Sequence, residues 1–559
     1  MKKRILFGAM YSSIEPLGLF HLSGQAELMG WESKIALVQG EDFSEFDAKV
    51  KDFKPDIVGF TVFSGSEQAI YDYLTKLKRR KPRIITVVGG PHPTYFANHT
   101  PKSIDWAVAG EGFLPLIHIL DGKPNKGGML HGNAPSKIPL SFRKTFYDDY
   151  PVFRDNPIKN IFSKVGCPYS CSYCYNSTHI YPQNERTAMD VFLEINSVVD
   201  LAPSTRMFYW QDDTLGAGGN LEFLNKFAEV WKMLSHDMLS FHGQTRFEII
   251  DPDNERGNRV LDLLQECRFT GMTMAIESDS DLIRKEVLNR SYKNDQIIRV
   301  VSELAERDIK LRTEQITGLP YGATTFATPI NLEADLELLF FNMSLRKTTG
   351  LPNVVWASTL IPYLGTVIAE YCMFFGFANQ ETLKLPKLGY HETSRLRHLK
   401  EWVGLELRDR QNEDVWMNTS AQTRYRKQNA FLREMFHVLA YLSEVPTGHL
   451  LIRRLLTGGE LTIRRFNSML SEVEPQRSEA LEFQATMVEK GYGGKLLGDV
   501  CSIVSMIPGD GEDLFKRIQN HCPDLDDVSL FGNVVKKYLY DTQLYLTNQE
   551  CECEVYSHV

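Results

Sequence analysis

Apolar positions along the chain fall into three regimes. Up to about residue 125, short apolar runs at Arg4–Gly8, Ser33–Val38, Asp56–Phe63, Arg83–Val88 and Ile104–Ala109 alternate with helix-length segments. Those segments are Leu17–Met29, Phe43–Phe53, Glu67–Arg79 and one starting near Phe113. Strands alternating with helices predict a parallel sheet covered on both faces. Residues Gly122 to Pro157 are rich in Lys, Gly, Pro and Asp without a period, and read as a linker or wrapping segment.

Strand-like runs then recur at Ile161–Val165, Met207–Gln211, Ser240–Arg246, Met272–Glu277, Lys310–Thr317 and Asn353–Ile361. Helical stretches separate them, among them Met189–Asp200, Asn220–Ser235, Gly257–Cys267 and Asn294–Arg307. Beyond about 381, periods near 3.6 at Ser394–Glu406, Arg424–Ser443, Thr447–Leu456, Thr462–Val473, Arg477–Lys490 and Val535–Tyr545 predict a small helical domain. The expected boundaries are therefore 1–125, a linker at 126–157, 158–380, and 381–559.

Length and composition agree with several soluble domains. At 559 residues the chain exceeds what one core supports, and 43% hydrophobic with 24% charged residues is ordinary globular composition. The formal net charge of −9 gives no electrostatic reason to expect nucleic acid or an anionic membrane as a partner. No apolar stretch reaches the roughly 18–20 residues of a spanning helix. Lys2, Lys3 and Arg4 before an apolar run imitate a signal peptide, but Ser12, Ser13, Glu15 and Pro16 break that run early. A cytoplasmic, thiol-reducing location is expected.

The cysteines sharpen the picture. Three of the nine stand in Val165-Gly166-Cys167-Pro168-Tyr169-Ser170-Cys171-Ser172-Tyr173-Cys174-Tyr175-Asn176, and the next is Cys267. Three thiolates on one short loop can hold three corners of a cubic iron–sulfur cluster and leave the fourth iron open to a small molecule. A structural zinc site asks for four ligands, and no second Cys-x-x-Cys pair lies nearby. A disulfide framework does not suit a long chain whose other cysteines are scattered. Cys551-Glu552-Cys553 reads as a polar tail with two incidental thiols, the alternative being a metal or redox pair.

This loop resembles the cluster motif of the radical S-adenosylmethionine (SAM) enzymes, with Tyr173 and the Gly-Cys-Pro-Tyr entry also fitting. Ahead of it, Pro16-Leu17-Gly18, Gly89-Gly90 and Gly110-Glu111-Gly112 resemble the cobalamin-binding domain of one large subgroup, the cobalamin-dependent (class B) radical SAM enzymes. Methylthiotransferases, which hold a second cluster in their first domain, are excluded because the first 166 residues contain no cysteine. The resemblance covers about residues 1–370. It implies a flavodoxin-like (Rossmann-type) cobalamin-binding domain, a partial (β/α)6 radical SAM barrel and a C-terminal all-helical domain.

What the resemblance implies for residues follows strand by strand. Cys167, Cys171 and Cys174 would hold a [4Fe–4S] cluster. Asp212, rather than Asp213, would meet the SAM ammonium; Arg246 its carboxylate; Glu277 its ribose hydroxyls; and the backbone after Thr317 its adenine, with Tyr173 beside them. Ser12, Leu17, Gly18, Thr61, Ser64, Gly89, Gly90, Glu111 and Gly112 would line the cobalamin site. Plainer readings stand beside these: Asp212 and Asp213 as turn starters, and Arg246 as a partner of Glu248. The Asp-x-His-x-x-Gly motif that supplies a histidine to cobalt is missing; His21 reads as surface or packing and His92 as a packing or hydrogen-bonding residue. Tyr321-Gly322-Ala323-Thr324 departs from the family's Gly-Glu-Thr, and Pro362-Tyr363-Leu364-Gly365-Thr366 has Leu364 where the subgroup has proline.

The implied activity is C-methylation of an unactivated carbon, with a 5′-deoxyadenosyl radical removing hydrogen and methylcobalamin returning a methyl group. The substrate would be a small molecule or peptide and the electron donor external, such as a flavodoxin or ferredoxin. Two alternatives stay open: another radical reaction on the same cofactors (rearrangement, cyclisation or oxidative cyclase chemistry), and a non-enzymatic cobalamin-binding sensor. Apolar runs at Leu338–Phe341 and Phe374–Phe377 read as buried helix faces before substrate channel.

Overall fold

The computed structural model describes residues 2–12, 14–122, 127–133, 135, 137–178, 184–218, 220–234, 239–320, 332–380, 383, 396, 420–437, 448–458, 461 and 463–473. These form two compact units. The first comprises Met1–Tyr169 and Asn176–Leu239; the second comprises Ser170–Tyr175 and the described residues from Ser240 onward.

In the first unit, β1 (Arg4–Met10), β2 (Glu32–Val38), β3 (Ile57–Thr61), β4 (Ile85–Gly89), β5 (Trp106–Gly110) and β6 (Gly128–Gly132) make one parallel sheet in the order β2-β1-β3-β4-β5-β6. Helices α1 (Leu17–Leu28), α2 (Ser44–Phe53), α3 (Glu67–Arg80), α4 (Pro91–Tyr95) and α5 (Phe113–Leu120) connect them. The two-residue period of β1 sends Ile5, Phe7 and Ala9 into one core and Leu6 into the other. Helix α3 buries Ile70, Leu74 and Leu77 along one stripe, the spacing an amphipathic helix requires.

The stretch expected to be a linker is structured. Strand β6 extends the sheet, and helices α6 (Lys144–Asp149) and α7 (Pro151–Asp155) place Phe146, Tyr147 and Phe153 in the first core. Its glycines and prolines hid the apolar anchors. Strand β7 (Ile158–Ile161) follows, then β8 (Lys164–Val165), which pairs antiparallel with β9 (Asn184–Glu185). Helix α8 (Ala188–Leu201) starts at Thr187, whose hydroxyl accepts the Asp190 amide proton. Strand β10 (Met207–Trp210) lies parallel to β7, and α9 (Asn220–Leu234) follows it.

In the second unit, β11 (Ser240–Thr245), β12 (Phe269–Glu277), β13 (Lys310–Thr317) and β14 (Val354–Thr359) run parallel as successive neighbours. Helices α10 (Glu255–Glu266), α11 (Asn294–Glu306) and α12 (Leu332–Thr349) connect them, and α13 (Val367–Phe374) follows β14. One π-helical turn, Ile283–Val287, interrupts the segment after β12. Each of the strands β7 and β10 in the first unit and β11 to β14 in the second is thus followed by a helix, the strand–helix repeat the sequence pattern predicted. The helices α14 (Ser420–His437), α15 (Gly448–Gly458) and α16 (Ile463–Val473) belong to the expected helical region, with Met435 and Phe436 in its core. In α12, Leu338 and Leu339 are buried as a helix face; Phe377 is buried while Phe374 is exposed. The expectations at 322–324, 394–406, 477–490, 535–545, Cys551 and Cys553 lie outside the described residues. Among the described residues no helix is long and apolar enough to cross a membrane.

Candidate cofactor sites

At the carboxyl ends of the first sheet, the sequence-predicted residues gather as strand-end loops. Ser12 follows β1, its hydroxyl accepting from the Ile14 amide. Leu17 opens α1, and a Cβ on Gly18 would meet nothing within 4 Å. Thr61 ends β3 and Gly89 ends β4. Gly90 has φ 95°, and a Cβ there would lie 2.7 Å from the Thr61 hydroxyl and 3.1 Å from the Val62 nitrogen. Only glycine allows both that conformation and that approach. Ser64 bonds His92 Nδ1 at 2.9 Å, and His92 packs against Phe96 and His99, so it serves as a hydrogen-bonding core residue. Glu111, with its carboxyl pushed up by burial, and Gly112 lead into α5.

Tyr11, Ile14 and Phe63 are exposed in the loops after β1 and β3. The open Gly18 and the exposed apolar groups beside it fit a large, partly apolar ligand beyond the strand ends. His21 is not at the surface: it is buried, with Nδ1 2.7 Å from the Pro139 carbonyl oxygen.

Asp212, expected to face the SAM ammonium, turns inward instead. It is 1% exposed, and its Oδ1 accepts from the amides of Ser163 (2.6 Å) and Lys164 (3.1 Å) while Oδ2 takes the Ser163 hydroxyl. Burial pushes its carboxyl up to about 6 against those donors. Its work is to pin the chain that leads into the cysteine loop. Asp213 beside it bonds the Gly166 amide and Asn176. Cys167 lies 3.3 Å from the Thr214 hydroxyl.

In the second unit the loop is fastened by Ser172. Its amide donates to the Leu288 carbonyl (3.1 Å), its hydroxyl to that of Val287 (2.5 Å), and its own carbonyl accepts from Ile368 (2.9 Å). Tyr175 donates to the Leu364 carbonyl at 2.9 Å, so the Pro-Tyr-Leu-Gly-Thr turn braces the loop. None of the three cysteines is in a disulfide. Among the described residues no group of three His, Cys, Asp or Glu side chains is arranged around one metal ion.

Arg246 forms two bonds with Glu248, Nη2 at 2.6 Å and Nε at 3.3 Å, the plainer pairing open in the sequence, and donates its Nη1 to Cys171 Sγ at 3.0 Å. A guanidinium donating to a cysteine sulfur is an outer hydrogen bond of the kind that supports an iron–sulfur ligand. Glu277 ends β12 at a register shift with φ 62°, a left-handed conformation costing of order 1 kcal/mol that marks a built site. Its Oε1 accepts the Tyr173 hydroxyl at 2.5 Å and faces Arg290 Nη2 at 3.5 Å; burial pushes its carboxyl up. Thr317 is fully buried, its hydroxyl 3.3 Å from that of Thr359 and its carbonyl accepting from the Leu360 amide at 2.8 Å.

Sequence reasoning missed Arg290. It donates Nη1 to the Ala275 carbonyl (3.1 Å) and the Tyr292 hydroxyl (2.7 Å), and stacks over Tyr173 and Tyr292. Its buried Nε has no partner, an orphan donor beside Glu277 that suits an anionic ligand group. No strand end or motif in the sequence pointed to it.

Comparison with known proteins matches residues 3–120 to the B12 binding domain and 161–322 to the Radical SAM superfamily. The chain is 27% identical over 233 residues to an uncharacterized methyltransferase, PH0819, of Pyrococcus horikoshii, covering 36% of this chain and 49% of that one. It is 20% identical over 445 residues to cytidylyl-2-hydroxyethylphosphonate methyltransferase of Streptomyces wedmorensis, covering 66% and 79%. In fold it resembles the radical SAM methyltransferase TsrM of Kitasatospora setae, solved with cobalamin and a [4Fe–4S] cluster: TM-score 0.51, 17% identity, 66% of this chain and 78% of that one. A second structure of TsrM holds its tryptophan substrate.

Proposed function

From the premise that this chain, joining a B12-binding domain to a radical SAM domain, belongs to the cobalamin-dependent radical SAM enzymes, we propose that it methylates an unactivated carbon of a small molecule or peptide. The observation that carries this is the 3.0 Å contact of Arg246 with Cys171, in a loop of three cysteines outside any disulfide that follows a B12-binding domain in the chain. When bound, the cluster with SAM supplies a hydrogen-abstracting carbon radical and cobalamin supplies the methyl group.

In this reading Cys167, Cys171 and Cys174 hold the cluster, and Arg246 hydrogen-bonds the Cys171 sulfur. Glu277 accepts the ribose hydroxyls, held at one angle by Tyr173, and Arg290 receives the carboxylate that the sequence had assigned to Arg246. Asp212 takes no ligand. The loops carrying Ser12, Leu17, Gly18, Thr61, Ser64, Gly89, Gly90, Glu111 and Gly112 cradle cobalamin, with no protein histidine toward cobalt. The methyltransferase names of both relatives support methyl transfer. An external flavodoxin or ferredoxin and a thiol-reducing cytoplasm complete the assignment.

Product analysis tests it. Reconstituted protein given SAM, cobalamin, a reductant and its substrate should form S-adenosylhomocysteine alongside 5′-deoxyadenosine, with substrate mass rising by one methyl. Turnover that yields 5′-deoxyadenosine without S-adenosylhomocysteine would sink methyl transfer in favour of a rearrangement or cyclisation. A sensor would keep its function after all three cysteines are changed to alanine, whereas the enzyme would lose it.

A further inference from the structure

Glu15 sits between Ser12 and the Leu17-Gly18 pair, in the loop between β1 and α1, yet it is only 4% exposed. Its Oε2 accepts from Arg143 Nη1 (2.9 Å) and the Asn160 amide (2.8 Å), and its Oε1 from the Tyr147 hydroxyl (2.6 Å). Arg143, 1% exposed, spends Nη2 on the Asn160 carbonyl (2.9 Å) and on Glu194 (2.8 Å). The β1–α1 loop is thus tied to both backbone groups of one residue in β7.

From Asn160 the connections continue. Its Oδ1 accepts from Gln211 Nε2 at 2.7 Å, and the Gln211 amide donates to the Ile161 carbonyl at 2.7 Å. Gln211 adjoins Asp212, which holds Ser163 and Lys164 at the root of the cysteine loop, and Thr214 touches Cys167. Every member lies in the first unit. Buried ion pairs are seldom more stabilising than apolar packing of equal volume, but they fix geometry. A network of this length, running from one candidate cofactor loop to the other, is the supporting layer that holds a functional constellation in register.

We propose that Glu15 is a positioning residue: through Arg143, Asn160, Gln211 and Asp212 it fixes the β1–α1 loop relative to the loop bearing Cys167, and so sets the separation of cobalamin from the cluster. This rests on the two-cofactor reading above.

Pulsed electron paramagnetic resonance tests it on the full chain loaded with cob(II)alamin and the reduced cluster. The unmodified protein should give one narrow distance between the two paramagnets. Glu15→Ala should lose that single distance for a broad distribution while cobalamin and iron contents persist. Gln211→Leu, which breaks the network without leaving a buried charge unpaired, should broaden it too even if Glu15→Ala does not fold. A distribution as narrow as the unmodified protein's in Gln211→Leu, or in a folded Glu15→Ala, overturns the proposal. If the unmodified protein gives one narrow distance and the variants a broad one, but no S-adenosylhomocysteine is made, methyl transfer fails and this positioning role stands.

Discussion

Arg246 Nη1 lies 3.0 Å from the sulfur of Cys171. Hydrogen bonds to the sulfurs of an iron–sulfur cluster stabilise its more reduced, more negative state. Arg246→Gln should therefore lower the midpoint potential of the reconstituted cluster, by on the order of 60 mV, the tenfold step of a one-electron couple. Redox titration followed by electron paramagnetic resonance measures it, and an unchanged potential would deny Arg246 this role.

Gly90 combines φ 95° with a Cβ position 2.7 Å from the Thr61 hydroxyl. Gly90→Ala should destabilise the first domain by about 1–3 kcal/mol through strain and crowding. It should also weaken cobalamin uptake, because the β3 and β4 loops meet there. Thermal melting and a cobalamin binding titration would show both effects; full affinity with a lowered melting temperature would place Gly90 outside the ligand site.

His21 is buried among Glu194, Arg186 and Arg143, and burial pushes its pKa down to about 4, against the pull of Glu194. Between pH 4 and 6.5 the unfolded chain binds a proton that the native imidazole refuses. Stability should therefore fall as the pH drops through that window, by up to about 3 kcal/mol. Urea unfolding at a series of pH values should show the slope, and His21→Gln should flatten it.

Asn429 of α14 joins three elements: its Nδ2 donates to Asp335 Oδ2 (2.9 Å), its Oδ1 accepts from Thr359 (2.9 Å), and Asp335 in turn accepts the Gly318 amide at 3.0 Å. Asn429→Ala should cost about 2–3 kcal/mol, because it strands buried polar partners. Burial pushes Asp335 up to about 7, so the native state keeps a proton that the unfolded chain releases above about pH 4. Asp335 thus lowers stability as pH rises from 4 to 7, the reverse of His21. Denaturation midpoints of Asp335→Asn across that range should lose this component.

Much of the architecture was legible in local pattern. Apolar runs alternating with helical segments marked both parallel-sheet regions, and the spacing of Cys167, Cys171 and Cys174 pointed to a cluster. Strand β6 escaped because Gly127, Gly128 and Gly132 read as loop, while its pairing with β5 depends on a backbone ladder that periodicity does not encode.

Side-chain partners were a different matter. Asp212 and Arg246 stand at the strand ends where the resemblance put ligands, yet Ser163 and Lys164 claim the first and Glu248 the second. Arg290 reaches Glu277, and Glu15 reaches Arg143 and Asn160, across separations no local signal spans. The sequence by itself determined which elements form and which thiols stand together, because hydrophobic period and ligand spacing are properties of neighbouring residues. Only the tertiary structure decided which charges face each other in the interior, because a buried charge persists where a partner arrives from elsewhere in the chain.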